Sequence, residues 1–490
     1  MAYLLTLISG ILTGLAMPGN LFSFFIWGSV VFYLKNMSES TKTYQRLLHT
    51  IIYSNSLLAT TLWWQMPVLT KNIPEVLNHY PPIFGFLGFI GEIFLLSLPY
   101  LLIWILSELY HRKYRKVNYI SLMFFYAFSY TAAEALREMG DLAVTGGSLG
   151  YALYNHIGLL QIASIFGYLG LTFIIILVNS AIAFDDSRDK IIKGILIFSA
   201  IYAINFSIER FIPITENSKT FKITAIQTNV PQEIKYNANT WKSYTLFSDL
   251  LQRAKDEKSS LIILPESTFM EDIQDTNVSE ALKINIKTIK KPVLMGYPKK
   301  TETDYYNTAW LYDKEGQIKE TYDKIKLTPF AEFLPYEAIF NKFKIFKLFV
   351  FYTPGSEFKT FNVNNTKFGV QICFETYFPE VSIQETKKGA EFLTAITNDG
   401  WFNTQTALIQ HFTQSIFRAV ETRRDFLQVS NTGITAMVDK YGRIKKVYSE
   451  HKEVIDTVSV NLNKKTSIYS NISGVFKALL FIGALILSIV

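Results

Sequence analysis

Long apolar runs before Phe211 constrain the fold of this chain more than any other feature of its sequence. Several of them approach the roughly 20 residues that an α-helix needs to cross the hydrocarbon core of a bilayer. The chain is 49% hydrophobic and only 18% charged, and most of its apolar content lies before Phe211. We therefore predict an all-α polytopic membrane domain, with about eight transmembrane helices in total, at residues 2–17, 21–34, 47–67, 83–109, 119–136, 157–184, 192–208 and 475–490.

Basic residues beside the predicted helices indicate their orientation. They cluster after the second, fourth and sixth helices: Lys35, Lys42, Arg46, Arg112, Lys113, Arg115, Lys116, Arg188, Lys190 and Lys193. Because cytoplasmic loops are enriched in Lys and Arg, we predict that these three loops are cytoplasmic. The same pattern accounts for the net charge of +7 without a nucleic-acid partner. The chain then divides into a membrane domain at residues 1–210, an outer domain at 211–471 and a last transmembrane helix at 472–490.

After Phe211 the pattern changes to short β-rich runs that alternate with polar amphipathic stretches, which is typical of an α/β domain. The predicted strands are residues 221–227, 261–264, 293–296, 308–312, 368–372, 392–397, 427–430 and 434–439. The predicted helices of this domain are residues 241–255, 278–288 and 406–424.

The only cysteine of the chain, Cys373, is a candidate nucleophile because it directly follows the apolar strand at residues 368–372. The end of a strand holds a side chain rigidly, and a thiol attacks a carbonyl once a base or a positive charge favours its thiolate. A lone cysteine is also often no more than a small buried hydrophobic residue. The rest of the domain has to decide between these two interpretations.

Two other stretches favour chemistry at the thiol. The apolar run at residues 262–265 ends in Glu266, and a loop at residues 322–333 carries Lys324 and Glu332. An acid, an ammonium and a thiol together can carry out acyl transfer. Glu266 would take the thiol proton, Lys324 would stabilise the thiolate and the developing oxyanion, and the thiol would carry the acyl group as a thioester. The backbone N–H of Phe374 would be a second oxyanion donor.

Three segments, in this order, resemble the Glu-Lys-Cys triad of the nitrilase superfamily. They are Pro265-Glu266, Lys324 with Pro329-Phe330-Ala331-Glu332-Phe333, and Cys373-Phe374-Glu375. Together with the predicted membrane helices, they make the whole chain similar to the apolipoprotein N-acyltransferase family of bacterial lipoprotein maturation. The resemblance implies a nitrilase-like αββα sandwich with Glu266, Lys324 and Cys373 as the triad.

The resemblance also implies supporting residues. Glu332 would hold Lys324 or Glu266 in register, and Glu375 would shape the pocket beside the thiol. Trp401, in the family-like segment at residues 398–402, would pack on an acyl chain, although ordinary core packing is the alternative. At two positions the chain departs from the family pattern, because Tyr236 replaces an expected Trp and Phe374 replaces a frequent Tyr.

The activity that the resemblance implies is a two-step acyl transfer. A fatty acyl chain passes from a phospholipid, preferentially phosphatidylethanolamine, to Cys373 as a thioester. The α-amino group of diacylglyceryl-cysteine at the N-terminus of an apolipoprotein then accepts it. The resemblance places the chain in a bacterial cell inner membrane with a periplasmic catalytic domain. We expect a monomer with no metal and no cofactor.

Alternatives from other classes remain open. The chain could be a membrane-anchored amidase of the same superfamily, or a non-catalytic scaffold or transporter whose outer domain only binds. A Cys-His site that uses His411 is disfavoured, because this residue lies in a predicted polar helix rather than at a strand end.

Two groups of charged residues in the predicted membrane domain have no assigned role. Glu92 lies inside the fourth predicted membrane helix. The other group, Glu134, Arg137, Glu138 and Asp141, either indicates a site at membrane depth or marks the water interface.

Residues 336–352 alternate Phe with Lys, which is typical of an arm at a lipid surface.

Overall fold

The computed structural model describes residues 1–77, 81–113, 118–185, 187, 189–214, 218–342 and 351–489. The chain forms two compact units. A helical unit comprises Met1–Leu69, Ile83–Ile214 and Ser467–Val490, and an α/β unit comprises Thr70–Pro82 and Thr215–Thr466. The short segment Thr70–Pro82, which lies between predicted membrane helices, therefore belongs to the α/β unit.

The helices of the helical unit are α1 (Ala2–Leu15), α2 (Val31–Glu39), α3 (Thr43–Thr61), α4 (Gln65–Pro67), α6 (Pro82–Ser97), α7 (Leu101–Lys113), α8 (Tyr119–Leu136), α9 (Ile157–Leu160), α10 (Ala163–Ala183), α11 (Lys190–Phe211) and α18 (Ile468–Ile489). Those of the α/β unit are α5 (Ile73–Leu77), α12 (Gln232–Asn237), α13 (Thr240–Arg253), α14 (Asn277–Ile289), α15 (Glu337–Phe340), α16 (Pro379–Lys387) and α17 (Gln405–Thr422). Within the described residues, four helices are long and apolar enough to cross a membrane: Pro82–Lys113, Ala163–Ala183, Ile192–Phe211 and Ile468–Ile489.

One predicted membrane helix is wrong. Residues 21–34 do not form a single helix but a short 3-10 helix, Ser23–Trp27, followed by α2. The break is stabilised by side chains, since the Ser9 hydroxyl donates to the Ser29 carbonyl and Asn179 Oδ1 accepts from the Val30 N–H at 3.0 Å. Such side-chain partners allow irregular backbone inside a helical membrane unit.

The segment predicted as one helix at residues 157–184 is also interrupted. It divides into α9 and α10, and Gly167 inside α10 has a φ of 67°. A side chain at this glycine would meet the Tyr469 ring at 2.4 Å, so both the conformation and the close approach require glycine. The helix predicted at residues 119–136 has the same bounds as α8.

The described residues of the α/β unit form twelve strands. They are β1 (Thr220–Gln227), β2 (Leu261–Ile263), β3 (Val293–Lys300), β4 (Tyr305–Tyr312), β5 (Ile318–Asp323), β6 (Thr360–Val363), β7 (Thr366–Ile372), β8 (Phe392–Thr397), β9 (Phe426–Ser430), β10 (Ala436–Val438), β11 (Ile444–Val447) and β12 (Val454–Asn461). They form two six-stranded sheets, in the orders β12-β1-β2-β3-β4-β5 and β11-β10-β9-β8-β7-β6. The central strands of each sheet are parallel: β2 pairs with β1 and β3 in the first sheet, and β8 pairs with β7 and β9 in the second.

The two sheets face each other across one apolar core. Ile223 and Ile263 of the first sheet and Val370 and Ile396 of the second belong to the same buried cluster. On its other face, the first sheet packs against apolar side chains of α13 and α14. The helices α16 and α17 contact β7 and β9 of the second sheet. The predicted nitrilase-like αββα sandwich is therefore confirmed.

The sequence missed four strands, β5, β6, β11 and β12, and four helices of this unit, α5, α12, α15 and α16. β11 is exposed at every position and β6 has only four residues, so neither has the buried alternation on which the prediction depended. The predicted loop at residues 322–333 is wrong at its start, because Tyr322 and Asp323 belong to β5. Arg115, Lys116 and Arg188 lie outside the described residues. Residues 343–350, which belong to the arm predicted at residues 336–352, lie outside them as well.

Candidate active site

Three strand ends carry the predicted triad. Glu266 follows β2, Lys324 follows β5 directly, and Cys373 follows β7 directly. Cys373 is the first residue of a 3-10 helix, Cys373–Tyr377, and its φ is 50°. Non-glycine residues rarely adopt this left-handed conformation, and where they do it is often at a functional site. The candidate nucleophile therefore lies on a sharp, strained turn from strand to helix.

Lys324 is almost completely buried and is shared by two carboxylates. Its Nζ lies 2.8 Å from Glu332 Oε2 and 2.9 Å from Glu332 Oε1. The Oε1 atom of Glu266 is further away, at 3.7 Å. The Nδ2 atom of Asn307, on β4, donates to both acids, at 2.8 Å to Glu266 and 2.9 Å to Glu332. Glu332 thus contacts the lysine directly, and Asn307 connects the two carboxylates.

The two carboxyl groups have opposite electrostatics. Burial raises the pKa of Glu266, and the neighbouring Glu332 carboxylate adds to this effect, while Lys324 only partly opposes it. Burial also acts against ionisation of Glu332, but the Lys324 ammonium and several hydrogen bonds outweigh it and lower the pKa of that carboxyl. Glu332 is therefore the permanent counterion of the lysine, while Glu266 remains the group that can exchange a proton.

The thiol is neutral in this environment. Burial raises the pKa of Cys373 well above its ordinary value, and Glu266 reinforces that effect more than Lys324 opposes it. Burial would lower the pKa of Lys324, but Glu332 and Glu266 raise it, so the ammonium is permanent. A stable thiolate is consequently not the resting state. The arrangement instead favours removal of the thiol proton by Glu266 at the moment of attack.

The other predicted acid, Glu375, ties two segments together. Its Oε1 atom accepts from the Tyr322 hydroxyl at 2.7 Å and from the Ile325 N–H at 2.8 Å. Its Oε2 atom accepts from the Ile372 N–H at 2.9 Å. The carboxylate therefore fixes the loop of Lys324 against the strand of Cys373. Glu375 is completely buried among these donors.

The three aromatic residues predicted at the site fall into two groups. Tyr236 and Trp401 pack edge to face, with ring centroids 5.3 Å apart. Asn72, from the segment before α5, donates to the Trp401 carbonyl at 2.9 Å. The Phe374 ring instead packs against Tyr377, with centroids 5.3 Å apart. Phe374 is the second residue of the 3-10 helix, where backbone N–H groups have no partner inside the helix.

Two polar residues at the site were not singled out by the sequence. The Nζ atom of Lys235 donates to the Ser267 carbonyl at 3.0 Å, next to Glu266, and burial lowers its pKa to about 7 although Glu266 opposes this. Asn307 is the other, and it lies far from both acids in sequence. Lys235 stands directly before Tyr236, which could have drawn attention to it. Nothing in the local sequence of Asn307 could have done so.

The structure also brings His411 close to Cys373, although its position in a predicted polar helix disfavoured a Cys-His site. Its Nε2 atom lies 3.2 Å from the Cys373 carbonyl oxygen, and its Nδ1 atom lies 2.7 Å from Asp399 Oδ1. The ligand atoms of Cys373, Asp399 and His411 lie within 4.8 Å of one another, as in a metal site. However, both ring nitrogens already face oxygen acceptors, so a metal would have to displace a hydrogen bond.

The sandwich, with an acid, an amine and a thiol at neighbouring strand ends, defines the class of carbon–nitrogen hydrolases. The carbon–nitrogen hydrolase family model matches residues 222–468, and the model of the apolipoprotein N-acyltransferase N-terminal domain matches residues 9–181. The chain belongs to the apolipoprotein N-acyltransferase family, and it is an acyltransferase and a membrane protein.

Two bacterial relatives agree with this assignment. The apolipoprotein N-acyltransferase of Thermotoga maritima is 38% identical over 90% of this chain and 84% of its own length. That of Geobacter metallireducens is 28% identical over 73% of this chain and 72% of its own length. Among solved structures, Saccharomyces cerevisiae Nit3, of branch 10 of the nitrilase superfamily, is 18% identical with a TM-score of 0.41, covering 54% of this chain and 97% of that one.

Proposed function

We propose that this protein transfers a fatty acyl chain from a phospholipid, with phosphatidylethanolamine as the preferred donor, to the N-terminal α-amino group of diacylglyceryl-cysteine in apolipoproteins. Glu266, Lys324 and Cys373 carry the reaction. The observation that carries the proposal is the only thiol of the chain, on a strained turn beside an acid of raised pKa, in a chain of this family. The names of the relatives support the acceptor.

In the first step, Glu266 takes the proton of Cys373 and the sulfur attacks the ester carbonyl of the donor. The electron pair of the carbonyl moves onto its oxygen, where the Lys324 ammonium and the Phe374 N–H stabilise it. Collapse of this intermediate breaks the ester bond, and Glu266 returns the proton to the departing glyceryl oxygen. A lysophospholipid leaves, and the acyl group remains on sulfur.

In the second step, the neutral α-amino group of the acceptor attacks the thioester carbonyl. Glu266 takes a proton from the nitrogen, the carbon–sulfur bond breaks, and the thiol is regenerated with that proton. The product is an amide, so the acceptor becomes triacylated. The resting thiol and the proton-accepting acid are thus restored after each cycle. Both substrates are confined to a bilayer, which keeps the thioester away from water.

We further propose the orientation that the basic loops favour. Residues 211–471 would be a periplasmic catalytic domain, between a membrane domain at 1–210 and a transmembrane helix at 472–490, in a bacterial inner membrane. Lys35, Lys42 and Arg46 would then lie on the cytoplasmic side.

Intact-mass spectrometry of the purified protein tests the function. The protein is incubated with phosphatidylethanolamine beside a Cys373→Ala variant, and a peptide that begins with diacylglyceryl-cysteine is then added. We expect a hydroxylamine-labile fatty-acyl mass on the wild type alone, and its transfer to the peptide nitrogen.

Two results would contradict the proposal. An adduct that only water discharges would favour a membrane-anchored amidase. No adduct with any lipid donor would favour a non-catalytic scaffold or transporter.

A further inference from the structure

We propose that His411, held as an imidazolium by Asp399, is a positioning residue that fixes and polarises the peptide unit between Cys373 and Phe374. This unit carries both parts of the acylation machinery on the backbone: the nucleophile is attached on one side, and the oxyanion N–H on the other. The inference rests on the proposed function for its chemical consequence. The contacts themselves do not depend on it.

The protonation state follows from the two partners of the ring. A carboxylate oxygen of Asp399 lies 2.7 Å from Nδ1, and a backbone carbonyl oxygen of Cys373 lies 3.2 Å from Nε2. Neither oxygen can donate a proton, so both ring nitrogens must do so. Only the imidazolium has two N–H groups. Although burial lowers the pKa of an imidazole, the Asp399 carboxylate outweighs it and raises the pKa of His411.

Asp399 is itself held in place as an anion. Its Oδ2 atom accepts from the Thr397 hydroxyl at 3.0 Å and from the Ser430 hydroxyl at 2.9 Å, while Oδ1 faces the imidazole. Burial opposes its charge, but His411 and these hydroxyls lower the pKa of Asp399. Both members of the pair are nearly inaccessible to solvent, with side-chain exposures of 2% and 1%. Water therefore cannot replace either partner.

The ring orientation is fixed by packing as well. The Tyr377 ring stacks on the imidazole with an interplanar angle of 9° and centroids 5.6 Å apart. Tyr377 closes the same 3-10 helix that Cys373 begins, so the helix is held at both ends by one histidine. Among the described residues, the titratable groups around the ring are those of Asp399, Cys373, Glu266 and Tyr377. The Asp399 carboxylate is hydrogen-bonded to the ring, whereas Cys373 contacts it through its backbone carbonyl.

The contact affects catalysis through the peptide group. The Cys373 carbonyl and the Phe374 N–H belong to the same amide, so a cationic donor at the carbonyl strengthens that N–H as a hydrogen-bond donor. The Thr376 hydroxyl donates to the same carbonyl at 3.0 Å. Two donors on one carbonyl also fix the turn that begins at Cys373, whose φ is 50°. Loss of the charge should therefore weaken stabilisation of the oxyanion more than it weakens substrate binding.

Two variants separate charge from packing. His411→Gln keeps a neutral donor of similar reach but removes the cation. Asp399→Asn keeps the shape of the side chain and its contacts with Thr397 and Ser430, because its amide can donate to both hydroxyls. It removes the anion that holds the second proton on the ring, so the neutral ring keeps only one of its two N–H donors. His451→Gln is the matched control, since the same substitution is made on an exposed histidine of the same unit.

The measurement is the rate of acyl-adduct formation by intact mass at saturating and at limiting phosphatidylethanolamine. We expect both variants to lose about 10- to 100-fold in the maximal rate, somewhat less than removal of a direct oxyanion donor, with the half-saturating lipid concentration nearly unchanged. The control should acylate like the wild type. Equal rates in His411→Gln and His451→Gln would overturn the proposal, as would a loss confined to the half-saturating concentration.

A second readout does not require acyl transfer. NMR of the full chain labelled with ¹⁵N in histidine should show an imidazolium signal that persists above pH 7, where an ordinary imidazole of pKa about 6.5 is mostly neutral. The signal should vanish in His411→Gln. A neutral ring at pH 7 would overturn the proposal. A wild type that shows the imidazolium but no adduct would instead contradict the proposed function alone.

Discussion

Each unit of the molecule contains a cluster of buried charged side chains, and the partners of the two clusters differ. In the helical unit, Glu134 accepts from the Leu149 N–H at 2.8 Å and from the Thr172 hydroxyl at 2.6 Å. Arg137 donates to the Gly146 carbonyl at 2.6 Å. These charges therefore stabilise an irregular stretch of backbone between α8 and α9, which membrane helices tolerate only with such partners.

In the cluster of the α/β unit, formed by Glu266, Lys324 and Glu332, the charges face one another. The Lys324 ammonium lies between two carboxylates, those of Glu266 and Glu332. All three charges act on the pKa of the Cys373 thiol. One carboxylate, Glu332, is matched to the lysine, and the other is left with a raised pKa. A buried charged group whose partners are backbone groups stabilises the fold. A carboxyl group of raised pKa beside a thiol, in contrast, can exchange a proton with it. We accordingly interpret the cluster at Glu134 and Arg137 as structural.

The largest expected effect tests this difference with one substitution in each unit. Lys324→Met removes the countercharge of two buried acids and a stabiliser of the oxyanion, so acyl-adduct formation should fall by about 1,000-fold or more. Lys477→Met removes the partner of Glu138, whose Oε2 atom lies 2.5 Å from Lys477 Nζ. The second variant should retain the wild-type rate per folded molecule, measured by intact mass.

A comparable loss in both lysine variants would mean that the Lys477–Glu138 pair of the helical unit also takes part in the reaction. The comparison between the two units would then fail.

The next effect distinguishes the two acids within the site. Glu332→Gln should lower the maximal rate by about 100-fold, because Lys324 loses its matched counterion and the amide introduces a donor toward the ammonium. The half-saturating lipid concentration should change little. Glu337→Gln, on a nearby exposed glutamate, serves as the control. An unchanged rate in Glu332→Gln would show that this acid is not needed to hold the lysine.

The sequence could predict a site residue when that residue follows a recognisable apolar run. Glu266 and Cys373 follow apolar runs, and strand ends are visible as the last residue of such a run. Lys324 could be predicted only from the motif around it, because β5, the strand before it, is partly exposed and was missed. The membrane helices were visible where they are continuous, as in α8.

The contacts between residues distant in sequence were not predictable. His411 lies on a helix whose pattern is amphipathic and ordinary, and only the packing of α17 against the 3-10 helix brings it to Cys373. Asn307 occupies one position of a strand that is otherwise aromatic and apolar except for Thr308. The break at residues 28–30 depends on Ser9 and Asn179, which local hydropathy does not reveal.

A smaller effect concerns the structural cluster. Glu134→Ala leaves the Leu149 N–H and the Thr172 hydroxyl without their acceptor, which should lower the free energy of unfolding by about 2 kcal/mol. The activity of the folded fraction should not change. Glu39→Ala, at an exposed ion pair of the same unit, should cost about 0.5 kcal/mol or less. Thermal unfolding in detergent measures both, and a loss of activity without loss of stability in Glu134→Ala would contradict the structural interpretation.

The smallest effect is a shift of a pH profile. Glu266 must be ionised to accept the thiol proton, so the rate should fall as the pH falls through its raised pKa, above the ordinary value of about 4.3. Asn307 donates to this carboxylate at 2.8 Å and thereby favours its charged form. In Asn307→Leu the acidic limb should therefore move to higher pH, by about one unit or less. Asn277→Leu, at an exposed helix start, should leave it in place. If the limb stays where it is in Asn307→Leu, the proton acceptor is a group other than Glu266, and proton exchange between Glu266 and the thiol is not what distinguishes this cluster from the one in the helical unit.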